Sequence, residues 1–191
     1  MTSPEQNVSA DKPTSTRESA LKLAAGGVLA GASYLAAGFL PQNVFYVAYI
    51  VVLIAVAYRD FRERRIPNRI IYPAILVALG AMFHFPDWGR FPGWGIALLG
   101  GVSAALFFIV PVFIYGPEQA GIGDVKLAFF IGLIFGVSRY LYWALLVGLV
   151  STALVGLVGI LLRKMSRKSL LPYGPFLALG AIALLITQMA R

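Results

Sequence analysis

The chain has 191 residues, no cysteine, and a formal net charge of +8 at neutral pH. Hydrophobic residues make up 59% of it and charged residues 13%, whereas a typical soluble domain has about 45–50% and about 25%. This composition excludes the soluble, disordered, fibrous and disulfide-stapled classes of protein. The lack of cysteine also excludes thiol catalysis, thiolate metal sites and haem attachment through cysteine.

Six stretches without a charged side chain indicate membrane helices, each of which needs about 20 apolar residues. The stretches are Leu23–Tyr58, Ile70–Pro86, Phe91–Pro117, Leu127–Ser138, Tyr140–Leu162 and Ser169–Ala190. The first is too long for one helix, and the turn-forming sequence Pro41-Gln42-Asn43 divides it. We therefore predict an all-α, polytopic transmembrane bundle of about seven (six to seven) helices. Their predicted ranges are 23–40, 44–59, 70–85, 94–115, 124–137, 140–162 and 173–190.

The distribution of basic residues predicts how the bundle lies in a cell membrane. If the N-terminus is cytoplasmic, 13 of the 16 lysines and arginines fall in cytoplasmic segments, where such residues collect in membrane proteins. This explains the positive charge without a nucleic-acid partner. Residues 1–20 are polar and lack the apolar core of a signal peptide, so we expect a disordered cytoplasmic tail followed by one transmembrane domain over 21–191.

Two pairs of glycines have the spacing that allows membrane helices to approach closely. These are Gly27 with Gly31 and Gly132 with Gly136. We expect both pairs to serve packing between helices.

The acidic residues that follow the tail are few, and acidic groups next to a bilayer are costly. They are Asp60, Glu63, Asp87, Glu118 and Asp124. Asp60 closes the second predicted helix and Asp124 opens the fifth, so both lie on the same membrane face. Two neighbouring carboxyl groups can share one proton, so that one activates water and the other donates a hydrogen bond to a carbonyl oxygen. The spacing thus allows an aspartic protease, but it also allows two aspartates that mark helix ends, where Asp124 would favour a helix N-terminus.

Three sequence motifs resemble those of the type IV prepilin peptidases and their archaeal preflagellin relatives. Residues 121–128, GIGDVKLA, resemble the G-x-G-D-V-K-L signature. Residues 60–68, DFRERRIPN, which include Pro67 and Asn68, are similar to D-x(5)-I-P-[ND]. Residues 171–178, LPYGPFLA, are similar to P-[FY]-G-P-[FY]-L-A. The motifs follow the family's order, and the resemblance spans about residues 45–190.

The resemblance implies a membrane aspartic endopeptidase whose active site lies near the cytoplasmic face. Asp60 and Asp124 would be the catalytic pair, with no cofactor and no metal. The substrates would be prepilin-like or preflagellin-like proteins that lose a short basic leader in a setting of membrane lipid. Gly121 and Gly123 would allow a tight turn that brings Asp124 to the pair. Lys126 would be either a charge partner near the site or a lysine that snorkels to the inner surface.

Four further residues are candidate substrate contacts. Glu63 and Glu118 are the inner-loop carboxylates that a basic leader would meet, in addition to the aspartates. Gly174 and Pro175 either shape a substrate groove or simply begin a helix, because proline suits the first helical turn.

The chain also departs from the long bacterial form of the family, which carries paired C-x-x-C motifs and methylates the new N-terminus. Without cysteine, and without room for that domain, we expect peptidase activity and no N-methyltransferase. The alternative is a non-catalytic membrane assembly or transport subunit. A transporter usually carries ionisable groups near the bilayer midplane, and the predicted helices have almost none there. The sequence does not indicate an oligomeric state.

Overall fold

The computed structural model describes residues 16–39, 42–84, 93–116, 121–162 and 173–190. These residues form seven α-helices and no strand. The helices are α1 (Thr16–Phe39), α2 (Gln42–Glu63), α3 (Asn68–His84), α4 (Trp94–Tyr115), α5 (Ile122–Phe135), α6 (Arg139–Leu161) and α7 (Gly174–Met189). The predicted all-α architecture and helix order are therefore confirmed. Glu118 lies outside the described residues.

Three helix boundaries differ from those predicted. Helix α1 begins at Thr16, so residues 16–20 of the tail expected to be disordered are helical. Helix α2 continues past Asp60 to Glu63, because the helix ends only where Arg64 takes a left-handed conformation (φ 52°) and its N–H donates to the Asp60 carbonyl oxygen at 2.8 Å. Helix α5 begins at Ile122, which places Asp124 inside its first turn.

The helices form a multi-pass membrane bundle. Three of them contain stretches long and apolar enough to cross a membrane, and the stretches are Asn43–Glu63, Trp94–Ile114 and Arg139–Leu161. Many large apolar side chains are exposed on the bundle surface, as lipid contact requires; Phe113 is 82% exposed. Helix α5 has 14 residues and is about 21 Å long, less than the roughly 30 Å of a hydrocarbon core.

Helix α5 is the buried centre of the bundle. Its side chains from Leu127 to Phe135 are almost all buried, and it contacts α3, α4, α6 and α7. The contact with α4 is the most extensive in the described structure, because glycines allow the two backbones to touch. A Cβ atom on Gly132 would lie 2.6 Å from the Gly101 Cα, and one on Gly100 would lie 2.6 Å from the Gly136 Cα. The packing predicted for Gly132 and Gly136 is confirmed.

The packing predicted for Gly27 and Gly31 is wrong. A Cβ atom on either residue would meet no atom of the described residues within 4 Å. On this side of the bundle α1 packs against α3 through Gly80, where an added Cβ would meet Ser33 and the Ala30 backbone. The spacing of two glycines therefore did not reveal which side of α1 faces another helix.

The helices fall into two groups, which contact each other between α2 and α3 and between α5 and both α6 and α7. In one group α1 packs on α3, α3 on α5, and α4 on α5; in the other, α2 and α6 both pack on α7. Tyr49 of α2 contacts Phe130 of α5 edge to face, with ring centroids 5.7 Å apart. Asp60 belongs to one group and Asp124 to the other, so the contact between the groups determines how the two carboxylates meet.

Candidate active site

Asp60 lies on the buried face of α2. The buried residues Tyr46, Tyr49, Leu53 and Val56 are spaced three or four apart along this helix, and Asp60 continues the same row. The residue is only 5% exposed, and its Oδ2 atom makes no hydrogen bond in the described structure. Burying a carboxylate oxygen without a partner is destabilising, so packing alone does not explain an aspartate at this position.

Asp124 occupies the corresponding place on α5. It lies in the first turn, its backbone N–H donates to the Gly121 carbonyl oxygen at 3.0 Å, and the buried Leu127 and Ala128 continue the same face. The two aspartates are close enough to interact electrostatically. Burial, followed by the negative charge of Asp60, raises the pKa of Asp124 to about 7. The structure thus brings together the two carboxylates that the sequence singled out.

The glycines beside Asp124 are needed for space and not for an unusual backbone conformation. Gly121 has φ −64° and Gly123 is helical without a positive φ, so the turn at Gly121 does not use the left-handed conformations that glycine allows. A Cβ atom on Gly123 would instead lie 2.9 Å from the Ile66 Cβ, and one on Gly121 would lie 3.0 Å from the Asp124 Oδ2. The missing side chains allow Ile66 and the Asp124 carboxylate to pack against the start of α5.

Lys126 connects the start of α5 to the start of α3. Its Nζ donates to the Asn68 Oδ1 at 2.7 Å and lies 4.9 Å from the centroid of the Tyr72 ring. Neither aspartate is a partner of this lysine within the described residues. Lys126 therefore forms no ion pair with either aspartate in the described part of the chain, and its snorkelling to the inner surface stays a prediction.

Tyr72 and Ile66 contact the site residues although neither was predicted from the sequence to do so. Tyr72 follows Asn68 by four residues, a spacing that places both on one helix face, and this spacing could have identified it. Ile66 belongs to the first motif, but nothing in its type or position indicates Gly123 as its neighbour. Pro67, between Ile66 and Asn68, directly precedes α3, and its carbonyl oxygen accepts from the Ile70 N–H at 3.0 Å.

The remaining predicted residues that the structure describes all follow Asp60 along the chain. Gly174 and Pro175 form the first turn of α7, as the helix-start alternative predicted, but this turn also faces Asp60. A Cβ atom on Gly174 would lie 2.5 Å from the Asp60 Oδ2. The backbone N–H of Gly174 is a hydrogen-bond donor that faces the same carboxylate. Glu63 lies on the exposed surface, where its Oε1 pairs with the Arg59 guanidinium at 3.1 Å.

The raised pKa of Asp124 predicts how the stability of the protein depends on pH. The folded state favours the protonated carboxyl group, so this contribution is complete below about pH 4 and is lost as the pH rises to about 7. The variant Asp124→Asn is neutral at every pH. We expect it to unfold at the same temperature as the wild type at pH 4 and at a higher temperature at pH 8. Thermal unfolding in detergent micelles, with Asp87→Asn as the control, tests this. A difference in unfolding temperature between Asp124→Asn and the wild type that stays constant across the pH range would contradict it.

The contact between Lys126 and Asn68 predicts coupling between these two positions. Single variants Lys126→Met and Asn68→Ala should each lower the unfolding free energy, and the double variant should lose less than the sum, with a coupling of about 1 kcal/mol. The exposed neighbour Arg69, changed to alanine, is the matched control and should show no coupling with Lys126. Additive effects of Lys126→Met and Asn68→Ala would show that the hydrogen bond does not join α5 to α3.

The sequence of the chain is similar to those of a known protein family. The family model of the type IV leader peptidase family matches residues 47–160, a range that contains both aspartates. A prepilin leader peptidase/N-methyltransferase of Burkholderia pseudomallei (strain K96243) is 30% identical over 179 residues, which cover 91% of this chain and 55% of that protein. The protein with the same name from Bacillus subtilis (strain 168) is 31% identical over 139 residues, covering 71% of this chain and 52% of that protein.

The relative from Aeromonas hydrophila, which has the same name, is 32% identical over 139 residues, covering 70% of this chain and 46% of that protein. The chain thus spans about half the length of the curated relatives it matches. No solved structure matches it. From the family match and the shared motifs, the chain belongs to the type IV leader peptidase family.

Proposed function

We propose that the chain is a membrane-embedded aspartic endopeptidase that removes the short basic leader of prepilin-like or preflagellin-like proteins. One observation carries the proposal: two carboxylates from different helix groups interact at one place, one of them buried with an unpartnered oxygen. Membership of the type IV leader peptidase family supports the class of reaction. The names of the relatives support prepilins as the class of substrate.

The aspartate pair would act by sharing one proton. The ionised carboxylate takes a proton from water as the water oxygen attacks the scissile carbonyl carbon, and the protonated carboxyl donates a hydrogen bond to the carbonyl oxygen. The tetrahedral intermediate then collapses, the C–N bond breaks, and a proton passes to the leaving amine. The products are a leader with a new carboxyl end and a mature protein with a new amino end, and the pair again holds one proton.

The cytoplasmic placement of the site rests on charge. The end of α2, the α2–α3 connection and the start of α3 carry basic side chains, which are Arg62, Arg64, Arg65 and Arg69. Arginines of this kind collect on the cytoplasmic side of a membrane. Asp60 and Asp124 lie at the ends of α2 and α5 on this same side. We therefore place the active site at the cytoplasmic face of the cell membrane, with lipid around the bundle and with the N-terminus in the cytoplasm.

The leader would meet carboxylates at this face. Glu63 pairs with Arg59, but both side chains are about half exposed, and an exposed pair of this kind is worth at most about 1 kcal/mol. Glu63 therefore remains available to a basic leader. Glu118 remains a second candidate contact for the leader, because the sequence places it in an inner loop. Pro175, in the half-buried first turn of α7, is the candidate for the wall of a substrate groove.

We assign peptidase activity and no methyl transfer to this chain. The long form of the family carries paired C-x-x-C motifs, and this chain has no cysteine to form them. The proposed chemistry uses two carboxylates and water, and it calls for no cofactor and no nucleic-acid partner.

Replacement of either aspartate by asparagine tests the proposed function. An amide cannot accept and return the proton, so Asp60→Asn and Asp124→Asn should each lower kcat by about 10²–10³-fold or more. The double variant should lose little beyond this, because the two residues act as one unit. The assay co-expresses the protein with a prepilin-like substrate and follows the mobility shift on leader loss, with kcat then measured on purified protein in detergent.

The control for this experiment is Asp87→Asn, an aspartate that the sequence places in the α3–α4 connection. It should cleave at the wild-type rate. More than about a tenth of wild-type kcat in Asp60→Asn, a barrier change under about 1.4 kcal/mol, would contradict the proposal. Such tolerance is what a non-catalytic assembly or transport subunit predicts.

A further inference from the structure

We propose that Gly174 is a positioning residue for Asp60. Its missing side chain allows the N-terminus of α7 to close over the Asp60 carboxylate and to hold that carboxylate opposite Asp124. The catalytic part of this inference rests on the proposed function, because it assumes that Asp60 acts on water. The contact itself is a property of the fold.

The contact is close on several atoms of Asp60. A Cβ atom added to Gly174 would lie 2.5 Å from the Asp60 Oδ2, 3.0 Å from its Cγ and 3.3 Å from its Cβ. Both residues are buried, so the carboxylate has no open solvent into which it could move. A methyl group at position 174 must therefore turn the Asp60 side chain or displace the start of α7.

The start of α7 also suits an anion. The first amides of a helix have no partner within the helix, and the helix dipole favours negative charge at this end. Pro175 has no N–H to offer, so the Gly174 amide is the donor next to Asp60, and it acts on that carboxylate. The Oδ2 atom makes no hydrogen bond in the described structure.

Burial argues against direct contact between Gly174 and a substrate. Gly174 is buried, whereas its neighbour Tyr173 is 43% exposed. A residue that lines a groove for a peptide needs an accessible surface. Gly174 instead has the Asp60 side chain as the nearest group to its missing Cβ, so its effect on a reaction would pass through Asp60.

The kinetic test is Gly174→Ala with kcat and KM measured separately. A turned Asp60 carboxylate should lower kcat on the order of 10²-fold and leave KM within about twofold. Gly95→Ala is the matched control, because Gly95 lies in the first turn of α4 and an added Cβ would meet nothing within 4 Å. An unchanged kcat, or a raised KM with kcat intact, would overturn the inference, since the second result is that of a groove residue.

A second control separates positioning from general damage to α7. A Cβ atom on Gly148 would lie 2.8 Å from the Leu177 Cα, so Gly148→Ala disturbs the α6–α7 contact about one turn further along α7, where the nearest group to the added atom is Leu177 and not Asp60. Compared at equal loss of thermal stability, Gly174→Ala should lose far more kcat than Gly148→Ala. Equal losses of kcat would mean that Gly174 matters only for packing, and this would also overturn the inference.

A stability cycle tests the contact without any cleavage. Gly174→Ala should lower the unfolding temperature in the wild-type background and should lose most of this effect in the Asp60→Ala background, where the carboxylate is gone. The same decrease in both backgrounds would overturn the inference. If Asp60→Asn still cleaves, the proposed function fails but this coupling persists, so the two failures are distinguishable.

Discussion

The structure depends on one electrostatic constraint: two carboxylates are held near each other in a place that water solvates poorly. Asp60 is buried on α2, and its Oδ2 has no hydrogen-bond partner among the described residues. Burial, followed by the negative charge of Asp60, raises the pKa of Asp124 on α5. Carboxylates that approach in this way resist simultaneous ionisation. A fold that served only to cross the membrane would be more stable with apolar residues at both positions.

Each of the three sequence motifs contributes a contact that supports this arrangement. The first places Ile66 against Gly123 and Asn68 against Lys126, which joins the start of α3 to the start of α5. The second provides the glycines that leave room for Ile66 and for the Asp124 carboxylate. The third begins α7 with a glycine against Asp60. Helix α7 packs on α2, which carries Asp60, and α3 packs on α5, which carries Asp124. Each helix group therefore contains a contact that holds its own aspartate in place.

Lys126 shows how a charge can be kept away from the pair. It lies two residues after Asp124, yet its described partners are Asn68 and Tyr72. A lysine paired with Asp124 would favour the ionised carboxylate and lower its pKa. With the lysine bound elsewhere, the raised pKa of Asp124 is preserved.

Much of the fold and the identity of the pair could be predicted from the sequence, because charge-free stretches and loop arginines report membrane helices directly. The end of α2 and the start of α5 could not be predicted in this way, because Asp60 and Asp124 continue rows of buried residues, and a count of charges does not detect such rows. The function of Gly121, Gly123 and Gly174 also depends on which side chains meet them from other helices. A sequence gives no such contacts: Gly27 and Gly31 have the same spacing as Gly132 and Gly136 and face open space.

The dependence of kcat on pH tests the shared proton most directly. The pair is active with one proton, so kcat for leader cleavage should rise at acidic pH, pass through a maximum, and fall as the pH rises through about 7, where Asp124 loses its proton. The two apparent pKa values of this profile belong to the pair and not to either residue alone. The decrease of kcat above about pH 7 is the decisive part of the profile. A kcat that continues to rise up to pH 9 would contradict the account, because it would mean that no shared carboxyl proton is needed for cleavage.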